Sequence, residues 1–370
     1  MFESIRDLFK LRPKRFLGID IGTSFIRVVE MGRRGRTYQL ENYGEINTSA
    51  FKEKAFRFFH KNTLSLSNKQ VAVGIRTICR EAEIETKEVN FSIPDFCSFF
   101  TSFKLPLMGE DEVPQAVQYH VRPYIPLPLN EVTLDWFIVE GEPSKTPLKI
   151  LVVAIPNEVI NQYQEIAELA NLKLRILEPE VYALARASVK EDKEKKIIGL
   201  VDIGARSTTC SILEKGILKI SYSFNIAGNE LTEIIARSLN IDYNKAEELK
   251  REYGLLVKKE SQLPKEIMGR EEGEIRRILI PLVDSILEEI KKVFRNFYRS
   301  EGKEVEIIIL SGGVVLMPGL KEYFSAELKK EIILADPFLN IACPPILSRL
   351  LKEMGPSYAI AVGLALKGFE

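Results

Sequence analysis

Hydrophobic residues along the chain fall into short, nearly continuous runs that alternate with longer segments in which they recur every three or four residues. The short runs have the length and composition of buried strands. They lie at residues 16–21, 25–31, 148–156, 198–203 and 305–310. The longer segments predict helices at 157–170, at 274–300 and from 357 onward. This alternation of strands and helices predicts an α/β fold.

Several local patterns predict individual elements more closely. The alternation in "QVAVGIR", residues 70–76, predicts a strand, and the segment 51–64 before it predicts a helix. Two helices are expected to meet at Asn240, with Asp242 as the N-cap of the second. Pro281 is expected to kink the long helix near its first turns.

The stretch from Glu81 to Glu140 differs in character from its surroundings and predicts an inserted subdomain. Within it, residues 113–122 have helical spacing and residues 132–139 alternate as a strand does. The charged run 190–196 is interpreted as a solvated hinge or a charged helix end. We expect four parts. The first lobe comprises residues 1–80 and 148–195, and the insert comprises residues 81–147. The second lobe comprises residues 196–226 and 305–370, and a helical subdomain comprises residues 227–304.

Composition and charge limit the classes of function. Of the 370 residues, 45% are hydrophobic, which is ample for buried cores. Lys plus Arg equals Asp plus Glu at 52 each, so the chain has no overall field that would attract nucleic acid or an anionic membrane. Four scattered cysteines and two histidines argue against a structural zinc site and are typical of a cytosolic protein.

The sequence predicts a cytoplasmic protein. It has no apolar run of membrane-spanning length, and its N-terminus lacks the apolar segment and cleavage site of a signal peptide. Apolar residues at helical spacing within residues 2–9 precede a basic stretch. We interpret this segment as a short surface helix, with a membrane-surface anchor as the alternative.

Two copies of one motif carry the candidate chemistry. "DIGTS" begins at Asp20 and "DIGARST" at Asp202. A glycine two residues after a strand-end aspartate allows a sharp turn in which backbone N–H groups converge on phosphate oxygens. A carboxylate repels phosphate, so both aspartates are predicted to bind Mg²⁺ or its water shell. The predicted phosphate-binding residues are Gly22, Thr23, Ser24, Gly204, Ala205, Ser207 and Thr208.

A single such motif is more often an ordinary hairpin turn in which the aspartate caps backbone amides. Two copies predict two hairpins that hold a triphosphate between them. A third element, "SGG", places Gly312 and Gly313 between a strand and a helix, where they permit close approach of a flat ring. We interpret it as the nucleoside site, with a tight strand-to-helix connection as the alternative.

The order of these three motifs resembles the actin-like ATPase superfamily, which includes actin, Hsp70 chaperones, sugar kinases, FtsA and MreB. The resemblance implies a duplicated, RNase H-like α/β unit in two lobes around a cleft that binds ATP and Mg²⁺. "AEELK" matches a helix that contacts the ribose or base, which nominates Glu247 and Lys250, and "NIAGNELT" nominates Gly228. An "EP" stretch nominates Glu178 as a water-orienting catalytic acid. The alternatives are a solvated ion pair for the first two residues and helix capping for Glu178.

The insert narrows the resemblance further. "FKLPLMGEDEVPQAVQYHVRPYIPLPLNEVTLDWFIVE", "IDYNKAEELKREYG" and "ADPFLNIACPP" are similar to the PilM family of type IV pilus assembly proteins. That similarity implies a cytoplasmic adaptor at the periphery of the inner membrane, with a groove for the N-terminal peptide of PilN. Through PilN it implies a link to PilO and the motor ATPases. Membrane association would come through these partners, oligomerisation stays open, and at most slow ATP hydrolysis is expected.

Three other kinds of actin-like protein are alternatives. A polymerising FtsA-like protein is expected to end in a linker and an amphipathic membrane helix, unlike "GLALKGFE". A sugar-kinase-type phosphotransferase needs a catalytic acid over a sugar hydroxyl, and none is identifiable from the sequence. The GspL protein of type II secretion is expected to continue into a membrane span.

Overall fold

A computed structural model of the chain describes residues 14–51, 66–190, 195–256 and 273–370. The contacts group the chain into two compact units. The first comprises residues 1–94, 158–187 and 336–370, and the second comprises residues 95–157 and 188–335. The N-terminal helix predicted at residues 2–9, nearly all of the helix predicted at 51–64 and most of the hinge at 190–196 lie outside the described residues.

Strands and helices alternate along the described chain, as the α/β prediction requires. The strands are β1 (Arg15–Ile21), β2 (Phe25–Arg34), β3 (Thr37–Asn47), β4 (Glu88–Ile93), β5 (Phe99–Leu105), β6 (Val132–Glu140), β7 (Leu148–Pro156), β8 (Lys173–Pro179), β9 (Ile197–Ile203), β10 (Thr208–Glu214), β11 (Ile217–Phe224), β12 (Ile307–Ser311), β13 (Glu331–Leu334) and β14 (Ile341–Ala342). The helices are α1 (Asn68–Glu81), α2 (Val113–Val121), α3 (Asn157–Leu169), α4 (Glu180–Ser188), α5 (Gly228–Leu239), α6 (Tyr243–Tyr253), α7 (Glu274–Glu301), α8 (Leu320–Leu328) and α9 (Ser348–Lys367). None of these helices is long and apolar enough to cross a membrane.

The two units contain the same five-stranded arrangement. The strand order is β3-β2-β1-β4-β8 in the first and β11-β10-β9-β12-β13 in the second. In each, the first three strands form antiparallel hairpins, and the last two run parallel to the central strand. The first sheet carries β14 as an additional edge strand. The predicted duplication of one α/β unit is therefore confirmed.

Helix α1 corrects one expectation from the sequence, because "QVAVGIR" was predicted to be a strand. Ser67 caps this helix by accepting a hydrogen bond from the Gln70 amide, and the Gln70 side chain accepts one from the Ser67 amide. This reciprocal capping is a helix-start signal. Alternation over only a few residues could not distinguish the strand period of two from the helical period of 3.6. The buried positions of the helix recur at helical spacing and are Val71, Ala72, Gly74, Ile75 and Ile78.

In the structure the insert comprises residues 95–157. It forms a three-stranded sheet, in the order β5-β7-β6, with α2 packed against it. The helix and strand predicted at 113–122 and 132–139 are confirmed to within one residue. The predicted boundary at residue 81 falls before β4, which pairs with β1 and β8 in the six-stranded sheet. The fourfold division of the chain stays a prediction.

The helical subdomain follows its predicted pattern. Asn240 ends α5 in the left-handed conformation, and the Asp242 carboxylate caps α6 by accepting from the Lys245 amide at 3.0 Å. Helix α7 buries one apolar stripe over its length and contains Pro281. The kink expected at this proline stays a prediction.

Helix α9 packs unusually closely in the first unit. A Cβ atom at Gly18 of β1 would overlap the carbonyl oxygen of Ala361 in α9, and one at Gly363 of α9 would overlap that of Ala183 in α4. Glycine at these two positions lets the helix lie directly on the central strand. The position of β1, and hence of the residue at its end, depends on this contact.

We therefore expect Gly18→Ala to lower the free energy of unfolding by about 1–3 kcal/mol, because the added methyl group must displace a helix backbone. The measurement is urea unfolding of the full chain. Gly109→Ala is the matched control, since its Cβ would make only an ordinary contact with Glu112 at 3.4 Å. Equal unfolding midpoints for the two variants would contradict this packing.

Candidate functional site

The first hairpin places Asp20 next to the last residue of β1. The side chain is buried, and the Ser92 hydroxyl of β4 donates to its Oδ1 atom at 3.2 Å. The Gly22 amide donates to the carbonyl of Phe25 at 2.9 Å and closes the turn. Burial raises the pKa of Asp20, and the opposing effects of Arg27 across the hairpin and of Ser92 do not cancel it.

Thr48 fixes the turn from its other side. Its amide donates to the carbonyl of Ser24 at 2.9 Å, and its hydroxyl donates to the carbonyl of Thr23 at 2.7 Å. Because Thr48 is buried and holds two consecutive carbonyls, contacts within the protein fix the shape of this turn. Sequence reasoning missed Thr48 and Ser92, since both lie outside the motif along the chain.

The second hairpin repeats the geometry of the first. The Gly204 amide donates to the carbonyl of Ser207 at 3.0 Å, the same three-residue interval as in the first turn. Asp202 is half-buried near the end of β9, where it lies in register with Ser311 of β12. Two turns of equal construction therefore each follow a strand-end aspartate.

The start of α5 supports this second turn. The Gly228 amide donates to the carbonyl of Gly204 at 3.0 Å, and the Asn229 amide donates to that of Ala205 at 2.7 Å. A Cβ atom at Gly228 would lie 2.7 Å from the side chain of Val314, which follows the "SGG" turn. The structure thus brings together Gly204, Ala205, Gly228 and the "SGG" turn.

The two glycines of the "SGG" turn differ in environment. Gly312 has a φ of +93°, and its Cβ would overlap the Ile203 backbone, so glycine here permits close packing of β12 on the end of β9. At Gly313 no described atom lies within 4 Å of a Cβ position. Gly312 therefore has a structural explanation, and close approach of a ligand at Gly313 stays a prediction.

Glu247 and Lys250 form part of a buried network behind the start of α5. The Lys250 Nζ atom lies 2.6 Å from the Glu247 carboxylate and donates to the Gly228 carbonyl at 3.0 Å and to the Thr232 hydroxyl at 2.8 Å. Lys250 is only 5% exposed, so the solvated-pair alternative is wrong for this residue. Sequence reasoning missed Thr232, which also lies 2.5 Å from the Glu247 carboxylate.

The charges of this network respond to burial in opposite ways. Burial lowers the pKa of Lys250 despite its pairing with Glu247. For Glu247, burial acts to raise the pKa, but Lys250 and the hydrogen bonds from Thr232 and Arg251 outweigh it and leave the pKa below its ordinary value. The network thus holds an ionised carboxylate beside the first turn of α5.

Two other predicted residues make structural contacts. The buried Thr208 hydroxyl donates to the carbonyl of Ile226 at 2.7 Å, so it supports the loop before α5. The Glu178 carboxylate is held by both terminal nitrogens of Arg186, at 2.5 and 3.0 Å. Arg186 also donates to the carbonyl of Gly363 at 3.0 Å. The two-point ion pair holds α4 against the end of β8, and the bond to Gly363 connects α4 with α9.

Comparison with known proteins identifies the family. The family profile described as "Type IV pilus assembly protein PilM" matches residues 18–369. The chain belongs to this PilM family.

Curated relatives of this PilM-family chain include cell division proteins FtsA. FtsA of Pseudomonas aeruginosa is 25% identical over 262 residues, which is 65% of the chain and 61% of the relative. FtsA of Bacillus subtilis is 20% identical over an alignment that covers 94% of the chain and 82% of the relative. The chain therefore spans less than two thirds of the first of these relatives and most of the second.

Solved structures establish the fold of the PilM-family chain. The PilM-PilN type IV pilus biogenesis complex matches with a TM-score of 0.80 at 24% identity, over 96% of this chain and 98% of that one. MreB5 of Spiroplasma citri bound to AMPPNP matches with a TM-score of 0.55 at 14% identity, over 96% of each chain. The actin-like ATPase fold predicted from the motifs is confirmed.

The raised pKa of Asp20 predicts a pH-dependent stability. The ordinary pKa of an aspartate is 3.8, and the folded chain favours the neutral acid at this site. The contribution of Asp20 to the free energy of unfolding is therefore present below about pH 4 and is lost as pH rises through the folded-state pKa. Asp20→Asn cannot ionise and should be more stable than the unchanged chain at pH 7.5, with the difference shrinking toward pH 4. Urea unfolding across this range measures it, and Asp242→Asn, at an exposed cap, is the control. A difference that stays constant with pH would contradict burial of the charge.

The Glu178–Arg186 contact predicts a structural effect. Glu178→Gln should lower the free energy of unfolding by about 1–3 kcal/mol, because it removes the more buried of the two carboxylates that contact the partly buried Arg186 guanidinium. Glu370→Gln is the control, since Glu370 contacts the same Arg186 from a more exposed position. Loss of ATP hydrolysis by Glu178→Gln at unchanged stability would instead support the catalytic role predicted from the sequence.

Proposed function

We propose that this chain is a nucleotide-binding adaptor of the type IV pilus machinery, which binds ATP with Mg²⁺ and docks the N-terminal cytoplasmic peptide of PilN. The observation that carries the nucleotide part is the repeated turn. In both units a glycine amide bonds to a carbonyl three residues on, directly after a strand-end aspartate. In a turn closed in this way, the N–H groups of the residues that follow the glycine can converge on an anion.

The residues present fit a magnesium nucleotide. The phosphates are assigned to the turns at residues 22–24 and 204–207, and the nucleoside to the surroundings of Gly313 and Glu247. Asp20 and Asp202 supply carboxylate oxygens, the donors that Mg²⁺ prefers, and Mg²⁺ usually keeps several waters. A divalent cation would favour ionisation of Asp20, whose burial opposes it. The structural relative MreB5 has been solved with AMPPNP and with ADP.

The proposed partner is PilN, because the PilM relative that shares this fold was solved as a PilM-PilN complex. An extended peptide gains affinity from backbone hydrogen bonds and specificity from side-chain pockets. Through PilN the chain would connect with PilO and the motor ATPases, at the cytoplasmic periphery of the inner membrane. These partners and this location are proposals.

An adaptor agrees better with the geometry than a fast enzyme does. Glu178, the nominated catalytic acid, has both oxygens on Arg186. A phosphotransferase of the sugar-kinase type would require a carboxylate that is available to a substrate hydroxyl. We therefore propose slow ATP hydrolysis at most.

The nucleotide proposal is tested by titration calorimetry of the full chain with ATP. Asp20→Asn and Asp202→Asn should each weaken binding at least about tenfold in the presence of Mg²⁺, because each removes one anionic group from the metal's surroundings. With EDTA the variants and the unchanged chain should differ little. Asp242→Asn serves as the control. Unchanged affinity of both variants with Mg²⁺ would remove the proposed metal role.

The partner arm of the same experiment uses a labelled N-terminal PilN peptide from the same genome, with a scrambled peptide as control. We expect saturable binding of the native peptide alone. Equal binding of the two peptides would refute the proposed partner while leaving the nucleotide result intact.

A further inference from the structure

One charged side chain in the second hairpin was not nominated from the motif. Arg206 occupies the position in "DIGARS" that Ser24 occupies in "DIGTSF". Its guanidinium carbon lies 4.2 Å from the centroid of the Phe96 ring, a close cation–π contact. The guanidinium is partly desolvated there, which lowers its pKa.

Phe96 belongs to the first turn of the insert, a short 3₁₀ helix at Asp95–Cys97. Four residues earlier, at the end of β4, the Ser92 hydroxyl donates to the Asp20 carboxylate. One five-residue stretch therefore contacts a side chain of the first hairpin at its beginning and a side chain of the second hairpin at its end. Both contacted residues belong to the motifs assigned to nucleotide.

Other contacts join the sheet of the insert to the rest of the second unit. The buried Lys219 amine of β11 donates to the carbonyl of Val139 in β6 at 2.9 Å. Lys149 of β7 forms an ion pair with Glu301 at the end of α7. A substitution at Phe96 should therefore alter residues 95–97, where the insert begins, while the contacts of Lys219 and Lys149 still hold the sheet of the insert in place.

Chemistry favours a phosphate over the Phe96 ring as a partner for Arg206. A guanidinium binds a phosphate through two parallel charge-assisted hydrogen bonds, whereas a cation–π contact is weaker and does not use the N–H groups in this way. A phosphate bound to the amides of residues 205–207 would lie within the same turn as Arg206. The ring and the phosphate would then compete for one cation.

We propose that Arg206 is the side-chain phosphate ligand of the second hairpin, and that it leaves the Phe96 ring for the terminal phosphate of a bound nucleoside triphosphate. The exchange frees the entrance of the insert at residues 95–97. This inference rests on the proposed nucleotide binding. By linkage, if the triphosphate raises the affinity of a second ligand for the insert with residues 95–97 released, that ligand must raise the affinity for the triphosphate by the same factor.

The test is titration calorimetry of the full chain with MgATP and with MgADP. Arg206→Met should weaken the binding of ATP at least about tenfold and the binding of ADP clearly less, because the lost contact is to the terminal phosphate. Arg206→Lys should restore part of the ATP affinity. Phe96→Leu should strengthen the binding of ATP about threefold, since it removes the competing ring but keeps an apolar side chain.

Two control variants make the same chemical changes elsewhere. Arg33→Met removes another arginine that lies over an aromatic ring, 5.5 Å from the centroid of Tyr38. Phe137→Leu changes another phenylalanine of the insert, on β6. Neither control should alter the ratio of ATP to ADP affinity.

Hydrogen exchange gives a second readout. In the unchanged chain, MgATP should speed amide exchange at residues 95–99 more than MgADP does, and in Arg206→Met this difference should disappear. ATP binding that is unaffected by Arg206→Met, or an ATP affinity unchanged by Phe96→Leu, would overturn the proposed movement of Arg206 from the Phe96 ring to the phosphate. If the unchanged chain binds neither nucleotide, the proposed function fails first and this inference fails with it.

Discussion

A glycine amide that bonds to the carbonyl three residues further on, at the end of each central strand, is the constraint on which the candidate site depends. It bends the chain immediately after Asp20 in one unit and after Asp202 in the other. Because the strands beneath are parallel-paired and buried, neither turn can shift without disturbing a sheet. The two aspartates and the backbone of the two turns are therefore fixed by the fold itself.

The surroundings of each turn reinforce this constraint by different means. In the first unit Thr48 binds two carbonyls of the turn, and in the second the opening amides of α5 do so. Lys250 and Thr232 then hold α5 from behind. The actin-like fold thus repeats one strand arrangement but supports its two turns with unrelated segments of chain.

The features predictable from the sequence were those encoded locally. Both hairpins, the Asn240–Asp242 junction and the strand and helix of the insert each depend on residues close together in the chain. Helix α1 was missed because the alternation within "QVAVGIR" is too short to separate a period of two from one of 3.6, whereas Ser67 and Gln70 before it held the better signal. Thr48, Ser92 and the Phe96–Arg206 stack depend on tertiary contacts between distant segments, and no motif reports them. The burial of Lys250 and the ion pair of Glu178 were hidden for the same reason.

The most direct measurement of the central claim is a crystal structure of the full chain with Mg²⁺ and a non-hydrolysable ATP analogue. The account predicts phosphate oxygens on the amides of residues 23–24 and 205–207, and a magnesium ion whose waters contact Asp20 and Asp202. A nucleotide bound away from both turns, or phosphates bound with neither aspartate near the metal, would contradict it.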